Sequence, residues 1–440
     1  MRSALILFTI SFLLAESALA QSVPLPASRP LEAAARRAVA PISTSPHPTF
    51  DHGTHQRIQA AMLSYASIEV RGGWPALPAN ARLAPGTGST EVALLRRRLA
   101  LSDDLAPERI DGELYDETVA DAVRRFQARH GLEVTGSVGP RTLAALNVPV
   151  QRRIRQLAAT LDRMAELQFT FGQRYVVVNI PAAVAEAVDG DTVARRHIAV
   201  VGKVDRPSPT LTTTIGAINL NPTWTVPLSI VKKDIVTKMR RDPRYVTRMR
   251  MRLLDGNGGE IDPKAVDWRS DRSPNFTIRQ DAGAGNALGA LRIDMPNAHA
   301  VYMHDTNTQK LFSEDYRFHS SGCARIADVR GFAAWLLEDT PGWNRKRIDT
   351  AIATGQTSTV RLAHRVPVAW VYFTGWVTRD DAVHFRDDVY GHDELPTRPA
   401  VAQMRPPIQT AARASGFVLQ SAETTPVPRV IEQVSYLDSR

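Results

Sequence analysis

The stretch YMHDTNTQKLFSEDYRFHSSGCAR, Tyr302 to Arg325, contains Cys323, the only cysteine of the 440-residue chain. A lone cysteine cannot close a disulfide within its own chain, so its thiol is an inert packing group, an intermolecular bridge or a nucleophile. Free cysteine is often buried, but Ser320, Ser321 and Gly322 before it and Ala324 and Arg325 after it suit a tight turn that presents sulfur outward. A cation at Arg325 would also stabilise a thiolate. Upstream, the apolar run AVYMH (Ala300 to His304) reads as a strand ending on His304. An imidazole fixed at a strand end serves as a general base for a thiol if the fold brings them together. The candidate site is therefore Cys323 and His304, with Tyr302, Ser321, Gly322 and Arg325 around them.

Outward from this stretch, the chain begins with Met1-Arg2, the apolar run Ala4 to Leu14 and the triplet Ala18-Leu19-Ala20. This pattern predicts a cleavable export signal over 1–20, too short in its apolar part to span a bilayer. Composition is that of a globular protein, 43% hydrophobic and 22% charged, with a net charge of +9. After export such a surface favours anionic partners, and nucleic acid is the wrong one for that compartment. Neither metal-ligand spacing nor a phosphate-cradling glycine loop is visible, so no metal and no cofactor is expected.

The pattern divides the chain further. Residues 21–55 are rich in Pro, Ser and Ala and read as a flexible lead. An amphipathic helix and linker follow over 56–88, with Ile58, Met62 and Tyr65 on one face. Residues 89–148 form a small unit of three helices, in which Arg96, Arg97 and Arg98 are expected mostly on the wet side and Val119, Ala122, Val123 and Phe126 inward. Residues 149–171 carry a connector helix with a stripe of Ile154, Leu157, Leu161, Met164 and Leu167. From RYVVVNI (Arg174 to Ile180) the chain becomes β-branched, and strand signals recur through Leu220 and again from Leu291, predicting a mostly β catalytic domain over 172–385. The stretch 226–282 interrupts it with charged helix and loop, which reads as a solvated surface face or an inserted lid. Val366 to Val377 reads as a buried strand pair or one long bent strand. Residues 386–440 read as a disordered tail. The fold class is multidomain α+β.

Two resemblances follow from these residues. His304 followed by Ser320, Ser321, Gly322, Cys323 and Arg325 resembles the signature of the L,D-transpeptidases. Tyr302-x-His304-Asp305-Thr306 and the Ser-Ser-Gly-Cys order resemble the larger periplasmic subgroup, whose lid is inserted between strands. VVVNIPAAV, VVGKVDRPSPT and LNPTWTVP resemble the opening of the same domain, with Ser208-Pro209 where many members have Thr-Pro. RRFQARHGLEVTGSVGPRTLAALN (Arg124 to Asn147) resembles the three-helix peptidoglycan-binding module. The resemblance implies a periplasmic enzyme that joins peptidoglycan stem peptides. Cys323 would attack a tetrapeptide donor, release D-alanine through a thioester and pass the acyl group to an amine on another stem in a 3-to-3 cross-link. Gly322, Ser321, Tyr302 and Arg325 would serve the oxyanion or position substrate. It also implies carbapenem acylation of Cys323 and leaves room for other wall-synthesis enzymes as partners. Two alternatives stay open. One is an L,D-carboxypeptidase or another wall-directed cysteine peptidase, with water resolving the thioester. The other is a non-catalytic peptidoglycan-binding protein that uses the helical module alone.

Overall fold

The computed structural model describes residues 42–81, 83–270 and 275–394. The export signal, residues 21–41 of the lead and 395–440 of the tail lie outside the described residues. Among the described residues no helix is long and apolar enough to cross a membrane.

Five helices come first: α1 (Thr54–Val70), α2 (Thr90–Ala100), α3 (Glu117–Arg129), α4 (Pro140–Leu146) and α5 (Val150–Glu166). The Asp116 carboxylate caps α3 by accepting from Val119 N–H, and Pro140 sits in the first turn of α4, where no backbone donor is needed. Val92, Leu95, Leu99, Val119, Val123, Phe126 and Leu146 make the core of the α2–α4 unit. Two of its three arginines depart from the expected wet face, Arg96 and Arg98 being buried. Each guanidinium finds acceptors there. Arg98 donates to Leu146 O at 2.8 Å and lies 3.8 Å from the Trp74 ring centroid, and Arg96 pairs with Asp116 at 2.6 Å. The connector helix α5 differs from its apolar stripe in a similar way. Its buried face includes Arg153, Gln156 and Thr160 because it lies between α1 and the catalytic domain, whose Arg386 carbonyl accepts from Gln156 Nε2 at 2.9 Å.

The β domain is built from β1 (Arg174–Asn179), β2 (Val184–Asp189), β3 (Thr192–Gly202) and β4 (Leu211–Leu220). The inserted β5 (Trp224–Thr225), β6 (Met251–Leu254), β7 (Glu260–Ile261) and β8 (Thr277–Gln280) come next. Then follow β9 (Leu291–Asp294), β10 (Met303–His304), β11 (Phe318–Ser320), β12 (Ala324–Ile326), β13 (Ser358–Val371), β14 (Gly375–Val377) and β15 (Val383–Phe385). The main sheet runs β11-β3-β12-β10-β9-β4-β13-β1-β2, and β2 also pairs with β3, closing it into a barrel-like ring. The run Tyr175–Val178 is buried on both faces because Val176 and Val178 point into the barrel core while Tyr175 and Val177 meet an outer aromatic cluster. The long strand expected near 366 is β13, between β4 and β1. It stops at Val371, and β14 pairs separately with β15.

Three boundaries need correction. The lead is not loose over its described part. Phe50 is buried against Phe169, Phe171 and Phe373 at ring separations of 5.8, 4.8 and 5.4 Å, and Thr49 N–H donates to Glu186 at 2.8 Å. Nor does the tail begin at 386. Arg386 N–H donates to Thr374 O at 2.8 Å, Tyr390 Oη to Gly202 O at 2.5 Å, and Asp393 pairs with Arg163 at 2.7 Å. Pro-rich or polar composition marks weak autonomy, but a few aromatic and charged anchors suffice to dock such a segment. The lid, expected as helix and loop, also carries a four-stranded sheet in the order β5-β8-β6-β7. Its strands are too short for their period to stand out among the charges, yet Met251, Leu253 and Ile278 alternate with Arg252 and Arg279 over an apolar core of their own.

Phe50→Ala should lower stability to denaturant by about 3–5 kcal/mol, the usual cost of emptying a buried aromatic site. A loss below about 0.5 kcal/mol, as at an exposed position, would show that the lead does not belong to the fold.

Candidate active site

Strands β10 and β12 lie side by side and parallel, with Met303 opposite Ala324 and His304 opposite Arg325. Ala324 N–H donates to Tyr302 O at 3.1 Å. Since side chains alternate along a strand, Met303 and Ala324 enter the barrel core while Tyr302, His304, Cys323 and Arg325 share the other face. His304 stands diagonal to Cys323. On the far side of β10, β9 places Arg292 opposite His304, and its guanidinium carbon lies 5.3 Å from the Tyr302 ring centroid. Arg292 is braced by Asp294 at 2.8 Å, Asp294 by Asn219 at 2.5 Å and Asn219 by Thr359 at 2.7 Å. Arg292 was missed in the sequence, although L-R-I-D in β9, with both charges on one face, was a signal for it.

The turn before β12 is pinned from three sides. Ser320 Oγ accepts from Gly322 N–H at 3.1 Å and donates to Cys323 O at 2.5 Å. Ser208 Oγ accepts from Gly202 N–H at 2.9 Å and donates to Gly322 O at 2.7 Å. Ser321 is exposed, and its hydroxyl accepts from Arg206 at 3.1 Å. Gly322 adopts φ +117°, which a side chain would strain, although there is room for a Cβ. At Gly202 the demand is space, since a Cβ would meet Arg206 O and Ser208 N at 2.4 Å. These bonds leave the backbone N–H of Cys323 without a hydrogen-bond partner among the described residues, whereas that of Gly322 is taken. His319 is exposed and bonded to Tyr316 O at 2.9 Å, on the opposite side of β11 from Ser320. The inserted element reaches this turn through Arg206, which grips Asp234 with two bonds of 2.5 and 2.8 Å.

Residues 173–372, which carry this whole arrangement apart from the buttressing Tyr390, match the family model of the L,D-transpeptidase catalytic domain. They are an L,D-transpeptidase catalytic domain. Residues 88–146 match the model of a peptidoglycan-binding domain. A Haemophilus influenzae protein named "Putative L,D-transpeptidase" is 33% identical over 220 residues, covering 50% of this chain and 44% of that protein. The chain thus spans less than half the length of that relative. Solved structures with a detectable likeness include an L,D-transpeptidase from Mycobacterium smegmatis, at 15% identity over 45% of this chain and 58% of that one, TM-score 0.22. Another, from Stackebrandtia nassauensis, has 12% identity over 68% of this chain and 97% of that one, TM-score 0.25. The family placement rests on the sequence matches.

Within this transpeptidase domain the nucleophile and base candidates are both held neutral. Burial pushes the Cys323 thiol up to about 11, against the opposing pull of the Tyr302 backbone N–H, Arg325 and Arg292. Burial, helped by Arg325, pushes the His304 imidazole down to about 3, against the Asp305 and Leu288 carbonyls. His304 Nδ1 lies 2.5 Å from Asp305 O. A carbonyl only accepts, so the proton sits on Nδ1 and Nε2 keeps its lone pair. Burial raises the Tyr302 hydroxyl, with Cys323 adding to the rise and Trp224 of the inserted element opposing it. Arg325 makes no hydrogen bond or ion pair among the described residues, and its Nε is buried without a partner. The half-buried Cys323 thiol, the His304 imidazole and the Arg325 guanidinium therefore share one face of the β10–β12 pair. Such a set can form an acyl thioester and hold an anion.

With its pKa raised, the thiol stays protonated through neutrality. Alkylation of Cys323 by iodoacetamide should therefore climb about tenfold per pH unit from pH 6 to 10. A plateau below pH 8 would instead indicate a preformed thiolate–imidazolium pair. Ser208→Ala should cost about 1–3 kcal/mol by leaving Gly202 N–H and Gly322 O unpaired, as read by thermal and denaturant unfolding.

Proposed function

We propose that the protein is a peptidoglycan L,D-transpeptidase that makes 3-to-3 cross-links, with Cys323 as nucleophile and His304 as its base. The observation that carries this reading is the common face shared by Cys323 and a His304 whose Nε2 is free, inside a catalytic domain of this family. The donor is a tetrapeptide stem. As sulfur bonds to the carbonyl carbon of its third residue, the thiol proton passes to His304 Nε2, and the carbonyl electrons move to an oxyanion facing the Cys323 N–H. Collapse breaks the carbon–nitrogen bond. The imidazolium returns its proton to the departing amine, and D-alanine leaves. The side-chain amine of a second stem then attacks the thioester and gives its proton to His304, which hands it back to the leaving sulfur. The neutral resting pair makes attack and proton transfer concerted, so the charged state forms only once substrate is in place. Arg325 receives a substrate carboxylate, and Tyr302 bounds the pocket between Trp224 and Arg292. The wall is reached by export through residues 1–20, which places the enzyme in the periplasm.

Incubating the mature protein with tetrapeptide muropeptides should give an acyl adduct by intact-mass spectrometry, D-alanine and cross-linked dimers. The Cys323→Ala protein should give none. His304→Ala should slow acylation by about 10²–10⁴-fold, the usual range for a general base. An adduct that resolves only to tripeptide would identify a carboxypeptidase. Folded protein that binds wall material without adduct or product would leave a wall-binding role.

A further inference from the structure

A large cleft lies away from Cys323. It has a volume of about 1350 Å³ and runs between the helical module and the barrel, and neither Cys323 nor His304 lines it. Small-molecule sites usually occupy about 300–1,000 Å³, so this one has the size for a polymer segment. Its walls are fixed relative to each other. Arg129 donates to Val383 O at 2.8 Å, Arg386 donates back to Arg129 O at 2.9 Å, and Arg141 of α4 bridges to Asp315 of the barrel at 2.5 Å.

Arg141 and Arg196 of the lining pair with Asp315 and Glu186, and three further arginines there lack carboxylate partners. Arg153 is bonded to Gln156 and to the Ala145 carbonyl. Arg317 donates to the Glu314 and Ala182 carbonyls, and Arg386 to the Arg129 and Phe385 carbonyls. No carboxylate among the described residues lies within ion-pairing distance of any of the three. Arg153 is 6% exposed, and the Nε atoms of Arg153 and Arg317 are buried without partners. Burial lowers all three, Arg153 and Arg386 to about 10. They remain cations, and Arg317 is the strongest charge acting on Arg386. Asp387 and Glu186 act on Arg386, Asp387 on Arg153 and Asp315 on Arg317 only from beyond pairing distance, and the seven Lys and Arg side chains of the lining outnumber its five carboxylates, so an anion in the cleft would offset the excess positive charge. Lys310 stands exposed on the lining, with no side-chain hydrogen bond or ion pair among the described residues. At one end the lining includes Lys203, whose N–H donates to Ser320 O at 3.1 Å, so the cleft reaches the turn that carries Cys323.

We propose that this cleft is a second wall-binding site, which takes the carboxylate-bearing peptide of one peptidoglycan strand while a stem of another occupies the space at Cys323. The proposal rests on the transpeptidase reading above for the identity of its polymer. Cross-linking needs two strands at once. A charged track between the wall-binding module and the catalytic turn holds the second in register.

The test uses the full chain as Cys323→Ala, which cannot turn over, titrated calorimetrically with soluble strands of several tetrapeptide disaccharides. Adding Lys310→Glu and Arg317→Gln should weaken binding by about tenfold, the value of losing charged hydrogen bonds. Strands with amidated carboxyl groups should bind weakly to both proteins. In the Cys323 form, the same two changes should leave acylation by a single tetrapeptide disaccharide intact and lower cross-linking of strands. Lys310→Glu alone alters one exposed side chain and preserves the fold, so it decides the matter if the double variant melts early. Equal affinity in parent and variant would overturn the proposal. So would full displacement of the strand by millimolar phosphate, which would mark a general anion site. Absence of acylation in the Cys323 form would sink the transpeptidase reading separately, because cleft affinity is measured without it.

Discussion

One hydrogen bond, from Ala324 N–H to Tyr302 O, sets the register on which the chemistry depends. It couples two strands of two and three residues that meet in parallel. Because side chains alternate with a period of two, a slip of one residue would turn Cys323 into the barrel core and bring Ala324 out in its place. Short strands specify register poorly by themselves. Here the specification comes from the surroundings: Met303, Ala324 and Ile326 are buried in the core, and Ser320 and Ser208 bind the turn through its backbone. The geometry of the candidate nucleophile is therefore a product of barrel packing.

The same burial that fixes the geometry governs the charge. A buried thiol and a buried imidazole each resist ionisation, and the site answers with two guanidinium groups, Arg325 and Arg292, that favour the thiolate and disfavour the imidazolium. These cations cannot serve both members of a Cys⁻/His⁺ pair at once. The outcome is a neutral pair in an electropositive pocket, suited to an anionic substrate and to charge that appears only during reaction. Arg292 is kept in place by a polar chain through Asp294, Asn219 and Thr359 that crosses two further strands, β4 and β13.

Arginines help to join the helical part and the insertion to the barrel. Arg129, Arg386 and Arg141 hold the module, and Arg206 ties the insertion to Ser321 through Asp234. Three of these guanidinium groups are paired with carboxylates, Arg129 with Asp104, Arg141 with Asp315 and Arg206 with Asp234, whereas Arg386 bonds only carbonyl oxygens, which satisfies its donors without neutralising its charge.

Much of the layout was legible in the chain. The lone cysteine in a Ser-Ser-Gly-Cys turn, the histidine ending an apolar run and the β-branched stretch from Arg174 are local patterns with local causes, and the three-helix unit follows from apolar spacing and turn residues. Other features were not. Arg98 sits in a charged run but is buried because Trp74 and Leu146 come to it from elsewhere. Phe50 lies in a Pro-rich lead and is held by aromatics more than a hundred residues away. Ser208 belongs to the site only through the bonds of its hydroxyl to Gly202 and Gly322, and Arg292 only through the pairing of β9 with β10. By itself the sequence determined Cys323 and His304 as the candidate reactive pair and most helices and strands outside the insertion, since both follow from side-chain type and short-range spacing. Only the tertiary structure decided protonation, the partners of the arginines and the cleft between module and barrel, because desolvation and charge pairing depend on what the rest of the chain brings within a few ångströms.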